Sequence, residues 1–173
     1  MKIKAVLFDL GDTLMDEVTE VKDILGVTQD AKLIDGVEEV IKFLKESNYK
    51  LGLVADTRIG TYKNVLSKYD LLKYFDCFAI SEELGCEKPS PQIFLFALNS
   101  LGIEEPEYRN VLMVGNNLKR DIAGANKVGI ISIWFHWNDR YYSVPESKQE
   151  IPEFEIKNIK GLLYLIKKIE KLR

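Results

Sequence analysis

Four polar clusters stand out by the kinds of side chain they gather. They are Asp9-Leu10-Gly11-Asp12-Thr13, Ala55-Asp56-Thr57-Arg58, Gly85-Cys86-Glu87-Lys88-Pro89-Ser90-Pro91, and Gly115-Asn116-Asn117 followed by Asp121. Together they offer carboxylates, amides, a hydroxyl, backbone donors and an ammonium group. One carboxylate beside a Mg²⁺ ion and an ammonium suits work on a phosphate. The ion neutralises charge, the lysine holds the anion, and the carboxylate attacks phosphorus. Mg²⁺ favours one or two carboxylates with waters and phosphate oxygens over an all-protein cage.

Such groups act together only if the fold brings them to one place. Residues 3–8, 51–54, 78–80, 111–114 and 131–135 form short runs rich in Val, Ile, Leu and Phe, bounded by Gly, Asp or Asn. They read as strands buried on both faces, with 154–156 as a weaker sixth. Helical patterns lie between them. Val37, Val40, Ile41 and Leu44 repeat at i, i+3, i+4, i+7. Ser90 and Pro91 read as an N-cap and first helical residue before the stripe Ile93, Phe94, Ala97, Leu98 and Leu101, with Gly102 ending the helix. Leu162, Leu165, Ile166 and Ile169 mark a last amphipathic helix, with Lys167, Lys168 and Lys171 complementing its dipole. Strands alternating with helices predict a mostly parallel sheet covered on both faces. Ligands bind such sheets at the carboxyl ends of the strands, near the topological switch point. Three of the four clusters directly follow a predicted strand.

At this point the chain resembles the haloacid dehalogenase-like (HAD) superfamily of hydrolases. Phe8-Asp9-Leu10-Gly11-Asp12-Thr13-Leu14 is similar to the motif that carries the nucleophilic aspartate. Leu51-Gly52-Leu53-Val54-Ala55-Asp56-Thr57 stands where the second motif belongs. Lys88-Pro89-Ser90-Pro91-Gln92-Ile93-Phe94 resembles the lysine motif, and the segment from Val114 through Asp121 to Ala125 resembles the fourth, metal-binding motif. The likeness spans nearly the whole chain. It implies a Rossmann-like three-layer α/β/α sandwich. It also implies roles: Asp9 as nucleophile and Mg²⁺ ligand, the Gly11 carbonyl, Asn116 and Asp121 as further metal ligands, and Lys88 as the group that holds the phosphoryl. Backbone amides around Ala55, Asp56 and Thr57 would cradle phosphate oxygens.

Three positions depart from that pattern. Phosphatases of the family usually carry a second aspartate, the general acid/base, where this chain has Gly11. Asp12 is one position further on and, in the same register, points elsewhere. General acid/base help is worth ~10²–10⁴-fold, so a slow enzyme, or one using protons from its substrate, is expected. Ala55 replaces a Ser or Thr, and Thr57 supplies that hydroxyl only through a different turn. Asn116 replaces an acid, which leaves an amide oxygen for Mg²⁺ but one charge fewer.

The intervals between the clusters hold no separate cap domain. Residues 1–173 are expected to form one domain, with 15–35 as a minimal cap of one or two short helices over the site. An open site fits a large phosphorylated substrate, a partner acting as lid, or a broad small-phosphate hydrolase. Hydrophobic residues at 46% and charged residues at 29% exclude a disordered or fibrous chain. A net charge of −3 argues against nucleic acid or an anionic membrane as partner. No stretch is apolar for long enough to cross a bilayer. The opening residues do not read as a leader, because Asp9 and Asp12 interrupt the apolar run. Cys77 and Cys86 make no disulfide framework, and the expected location is cytoplasmic.

The expected activity is therefore a Mg²⁺-dependent phosphomonoesterase working through an aspartyl-phosphate on Asp9. The rival is a regulatory or binding protein on the same fold with little turnover, favoured by Gly11, Ala55 and Asn116. Metal-independent haloacid hydrolysis is the third reading, opposed by the lack of a cap to enclose so small a substrate. Arg58 reads equally as a phosphate contact or a surface residue, and Asp121 equally as a helix N-cap or a ligand. The aromatic run Trp134, Phe135, His136 and Trp137, with Tyr141 and Tyr142, reads as packing under a long loop; the sharper alternatives are a substrate platform or a homodimer contact.

Overall fold

Apolar runs of four to six residues bury best as strands covered on both faces, and that is what the chain does. The computed structural model describes residues 2–172. Its strands are β1 (Ala5–Phe8), β2 (Met15–Lys22), β3 (Thr28–Leu33), β4 (Lys50–Ala55), β5 (Cys77–Ile80), β6 (Val111–Gly115), β7 (Ile131–Phe135) and β8 (Phe154–Ile156). The helices are α1 (Val37–Glu46), α2 (Ile59–Lys68), α3 (Ser81–Leu84), α4 (Pro91–Ser100), α5 (Ala123–Val128) and α6 (Gly161–Leu172). Six strands form one sheet in the order β5-β4-β1-β6-β7-β8, every pairing parallel.

Alternation along each strand divides the core in two. Val6 and Phe8 face one side with Leu51, Leu53, Leu112 and Val114, where α1, α2 and α6 cover them. Ala5 and Leu7 face the other with Val111 and Met113, under α4 and Ala125 of α5. The expected stripes are the buried ones: Val37, Val40, Ile41 and Leu44 on α1, and Ile93, Phe94, Ala97 and Leu98 on α4. Ser90 caps α4 by accepting the Gln92 N–H, and Pro91 opens the helix. The result is the three-layer α/β/α arrangement, with the weak sixth strand present at the sheet edge.

The chain leaves β1, builds β4 and β5 on one side, then crosses back to build β6 on the other. The switch point therefore lies at the carboxyl end of β1. Phe8 pairs with both Leu53 and Val114, and the Asp9 N–H donates to the Val114 carbonyl at 3.0 Å. This register brings the ends of β1, β4 and β6 together.

One expectation is corrected. Residues 15–35 form no helix; β2 and β3 pair antiparallel as a hairpin. The cause is local. Val18, Thr19, Val21, Val27 and Thr28 are β-branched and favour extended backbone. Between the strands, the Asp23 carboxylate accepts the N–H groups of Leu25 and Val27 at 2.9 Å and fixes the turn. The hairpin stands beside the end of β1 and leans on α2, where the Thr28 N–H donates to the Thr61 hydroxyl.

Candidate active site

Asp9 follows the last residue of β1 and cannot continue the strand's apolar register, so its carboxylate turns into the space beyond the sheet. Lys88 reaches that space from the loop between α3 and α4. Its Nζ donates to Asp9 Oδ1 at 2.5 Å, to Asp121 Oδ1 at 2.7 Å and to the Val54 carbonyl at 2.9 Å. All three ammonium donors are thus used by the protein. The Lys88 side chain is 2% exposed and that of Asp121 1%.

Asp121 arrives by a different device. Asn117, not Asp121, caps the turn that follows β6: its side chain accepts the N–H groups of Lys119 and Arg120. That corrects the N-cap reading of Asp121. The backbone then winds through a single π-helical turn over Leu118–Ile122, a rare form often found at functional sites. The turn folds Asp121 back so that Oδ2 accepts the Asn117 N–H at 2.9 Å. A Cβ at position 115 would overlap the Asp121 carboxylate, so the close approach requires Gly115.

Asp9, Gly11, Ala55, Asp56, Thr57, Lys88, Asn116 and Asp121 all line one cavity of about 300 Å³. The structure thus gathers every site residue expected from sequence. Asp56 enters differently from the expected phosphate contact: its Oδ1 accepts the Lys88 backbone N–H at 2.9 Å and so fixes the loop that carries the lysine. Arg58 lies outside the cavity, in a neighbouring groove, and pairs with Glu82 at 3.3 Å. Asp12 also points away, as its register predicted. It is buried, its carboxylate accepts the Glu17 N–H, and it pairs with Arg140 Nε at 2.7 Å.

Three carboxylates surround one buried cation, and this sets the electrostatics. Burial works against the Lys88 charge, but Asp121, Asp9 and Asp56 overcome it and raise Lys88 above the ordinary lysine value. Burial raises the Asp121 carboxyl, with Lys88 pulling the other way and Asp9 adding to the rise. Asp56 is raised for the same first reason, partly offset by Lys88.

Sequence reasoning missed the residues that the hairpin and the β7–β8 connection bring to the cavity. Glu17, Glu20 and Lys22 come from β2, and Tyr141 from the long loop after β7. Tyr141 donates its hydroxyl to Glu17 Oε2 at 2.7 Å. Arg120 lies at the same mouth, 3.6 Å from Asp56. The aromatic run does more than pack. The Trp134 indole donates to the Asn116 carbonyl at 2.9 Å and the Trp137 indole to the Asp12 carbonyl at 2.8 Å. These bonds tie two site loops to the β7 side of the molecule. The alternating pattern of β2 was the signal available for the hairpin; for Tyr141 it was the aromatic run after the fifth predicted strand, read first as packing, although one of its residues lines the cavity.

The family model described as haloacid dehalogenase-like hydrolase matches residues 17–129. The chain belongs to this family. Among relatives of this HAD-like protein, the glyceraldehyde 3-phosphate phosphatase of Methanopyrus kandleri is 31% identical over 128 residues, covering 74% of this chain and 54% of that one. The chain spans about half the length of the curated relatives it matches. An uncharacterized protein of Listeria monocytogenes serotype 4b superposes with a TM-score of 0.76 at 27% identity, covering 96% of this chain and 99% of the other. A HAD phosphatase of Thermococcus onnurineus superposes at 0.77 with 23% identity, covering 95% and 98%, a likeness of fold. No helix among the described residues is long and apolar enough to cross a membrane.

Proposed function

We propose that the chain is a Mg²⁺-dependent phosphomonoesterase acting through an aspartyl-phosphate on Asp9. The observation that carries this reading is the placement of Lys88 Nζ between Asp9 and Asp121 at the floor of a polar cavity. The phosphatase names borne by its relatives support it.

The donor set fits Mg²⁺. Among the described residues no group of three or more acids, histidines or cysteines could hold a metal, so a cage for a soft or strongly chelated ion is not built here. What the cavity offers is oxygen: Asp9, Asp121, the Gly11 backbone and the Asn116 amide. Asn116 is nearly buried and its Nδ2 has no partner; turned over, the amide presents oxygen instead. Few carboxylates, with water and phosphate completing the shell, is the arrangement Mg²⁺ prefers. Bound there, Mg²⁺ would offset charge on the phosphoryl oxygens and Asp9.

The chain's own groups do the rest. Asp9 is aimed by the end of β1 and held by Lys88, so one carboxylate oxygen is fixed for in-line attack on phosphorus. Lys88 sits where negative charge develops on the transferring group. The Ala55–Thr57 turn and the Asn116–Asn117 backbone close the sides of the pocket. The substrate class is a phosphate monoester whose leaving group meets the hairpin residues Glu20 and Lys22. A HAD-fold binding protein with little turnover is the second reading, favoured by the absence of a side chain at Gly11. Asp9→Asn separates the two: it should abolish phosphate release from an aryl phosphate while the fold persists. Release that survives in a clean preparation of the variant overturns the assignment.

A further inference from the structure

The phosphatase reading leaves one chemical requirement unmet. When Asp9 attacks phosphorus, the departing alkoxide needs a proton, and Gly11 has no side chain to give one. Every other acid lining the cavity is engaged. Asp121 spends both oxygens on Lys88 and the Asn117 N–H. Asp56 gives Oδ1 to the Lys88 N–H, and its Oδ2, though without a hydrogen-bond partner, is sealed from solvent and lies 3.6 Å from the Arg120 guanidinium. Glu20 accepts the Thr28 hydroxyl and pairs with Lys22. Asp12 is outside the lining and paired with Arg140. His136, the chain's one histidine, is held by Glu155 and Asp139 away from the cavity.

Glu17 differs from all of these. Tyr141 holds its Oε2, while Oε1 has no hydrogen-bond partner among the described residues. That oxygen lies over Gly11 so closely that a Cβ built on Gly11 would overlap it. The carboxylate therefore fills the volume into which a side chain at position 11 would project. Its backbone is fixed as well, since the Glu17 N–H donates to Asp12 Oδ1 at 3.1 Å. Gly11 and Glu17 are thus one unit: the glycine makes room, and the hairpin supplies the acid.

We propose that Glu17 is a further catalytic residue, the group that transfers protons in both half-reactions. The proposal rests on the phosphatase reading above. In the first half-reaction an Asp9 oxygen bonds to phosphorus, the bond from phosphorus to the leaving oxygen breaks, and the Glu17 proton passes to that oxygen to give the alcohol. In the second, Glu17 carboxylate takes a proton from water as the water oxygen bonds to phosphorus. The bond from phosphorus to Asp9 breaks, orthophosphate leaves, and Glu17 is protonated again for the next turnover.

The test compares two substrates of unequal need. Nitrophenolate departs without a proton, whereas the alkoxide of glycerol phosphate does not. With Mg²⁺ present, Glu17→Gln keeps the size and the Tyr141 contact but cannot act as an acid. It should lose ~10²–10⁴-fold in kcat on glycerol phosphate. On 4-nitrophenyl phosphate it should show a burst of one equivalent and then slow turnover, because the aspartyl-phosphate forms but water is not activated. A purely structural role predicts neither the substrate split nor the burst. Gly11 has no positive φ, so its backbone accepts a side chain once Glu17 is shortened. Gly11→Asp combined with Glu17→Ala should regain activity on glycerol phosphate, while Gly11→Asp alone, with its clash, should not. If wild type is active, Asp9→Asn is dead and Glu17→Gln matches wild type on both substrates without a burst, this inference falls and the phosphatase reading stands. A wild type that hydrolyses neither substrate overturns both.

Discussion

Lys88 Nζ lies 2.7 Å from Asp121 Oδ1, with both side chains almost wholly withdrawn from solvent. A buried pair of this kind contributes little against an apolar replacement of both partners, but removing one leaves an uncompensated charge, at a cost of about 3–5 kcal/mol. Here the cation serves three acids, Asp9, Asp56 and Asp121. Lys88→Met should therefore destabilise the protein by about that amount at neutral pH, read from the shift in urea midpoint. Part of the loss should return on acidification, as the stranded carboxyls take up protons. A variant as stable as wild type at pH 7 would mean that the triad is not assembled.

Asp121 gives the opposite sign. Its folded-state pKa is raised from 3.8 by burial. An acid with a raised folded pKa binds its proton more tightly in the native state. The stability this confers is present below the unfolded value and is lost as pH rises through the folded one. In metal-free buffer, Asp121→Asn should then flatten the fall in Tm between about pH 4 and pH 7 relative to wild type. Activity should be lost in the same variant. Parallel Tm profiles for the two proteins would refute the argument.

The sheet and its helices were legible because each element carries its own pattern. Val6, Phe8, Leu112 and Val114 belong to strands covered on both sides, and a continuous apolar run is all such a strand needs. Asp9 and Asn116 were legible for a related reason, being the first polar groups after those runs, while Asp121 was legible only through the motif that it shares with Asn116. The hairpin was not. Its residues Asp16, Glu17, Glu20 and Lys22 obscure a β-branched alternation, and a short charged segment over a site reads as easily as helix. Glu17 and Tyr141 are 124 positions apart. Their meeting depends on tertiary docking of two loops, which no local spacing encodes.

That docking can be measured. Arg140 pairs with Asp12 at 2.7 Å and Asp16 at 2.8 Å, and its guanidinium lies 5.2 Å from the centre of the Trp137 ring. Asp16 is partly solvated, so its pair is worth little; the Asp12 side chain is fully buried. Arg140→Met should cost about 2–4 kcal/mol, and a double-mutant cycle with Asp12→Asn should return a coupling above about 1 kcal/mol. The same cycle with Asp16→Asn should return under about half that. Equal couplings would show that burial of Asp12 does not set the strength of the tether.

A divalent ion bears on the same charge balance. With Asp9, Glu17, Glu20, Asp56 and Asp121 set against Lys22, Lys88 and Arg120, the cavity lining carries surplus negative charge, and a cation bound there stabilises the native state by mass action. At a hundredfold excess over its dissociation constant, Mg²⁺ adds about 2.7 kcal/mol, which for a chain of this length is roughly 5–10 °C in Tm. The experiment needs no substrate: thermal unfolding is followed as Mg²⁺ is titrated into wild type, Asp9→Asn and Asp12→Asn. Wild type and Asp12→Asn should both shift, since Asp12 lies behind the loop and not in the cavity. Asp9→Asn should shift by much less, because it removes a carboxylate that would hold the ion and lowers the repulsion that the ion would relieve. Equal shifts in all three proteins would place the ion elsewhere on the acidic surface, and the reading of Asp9 as a metal ligand would fail with it.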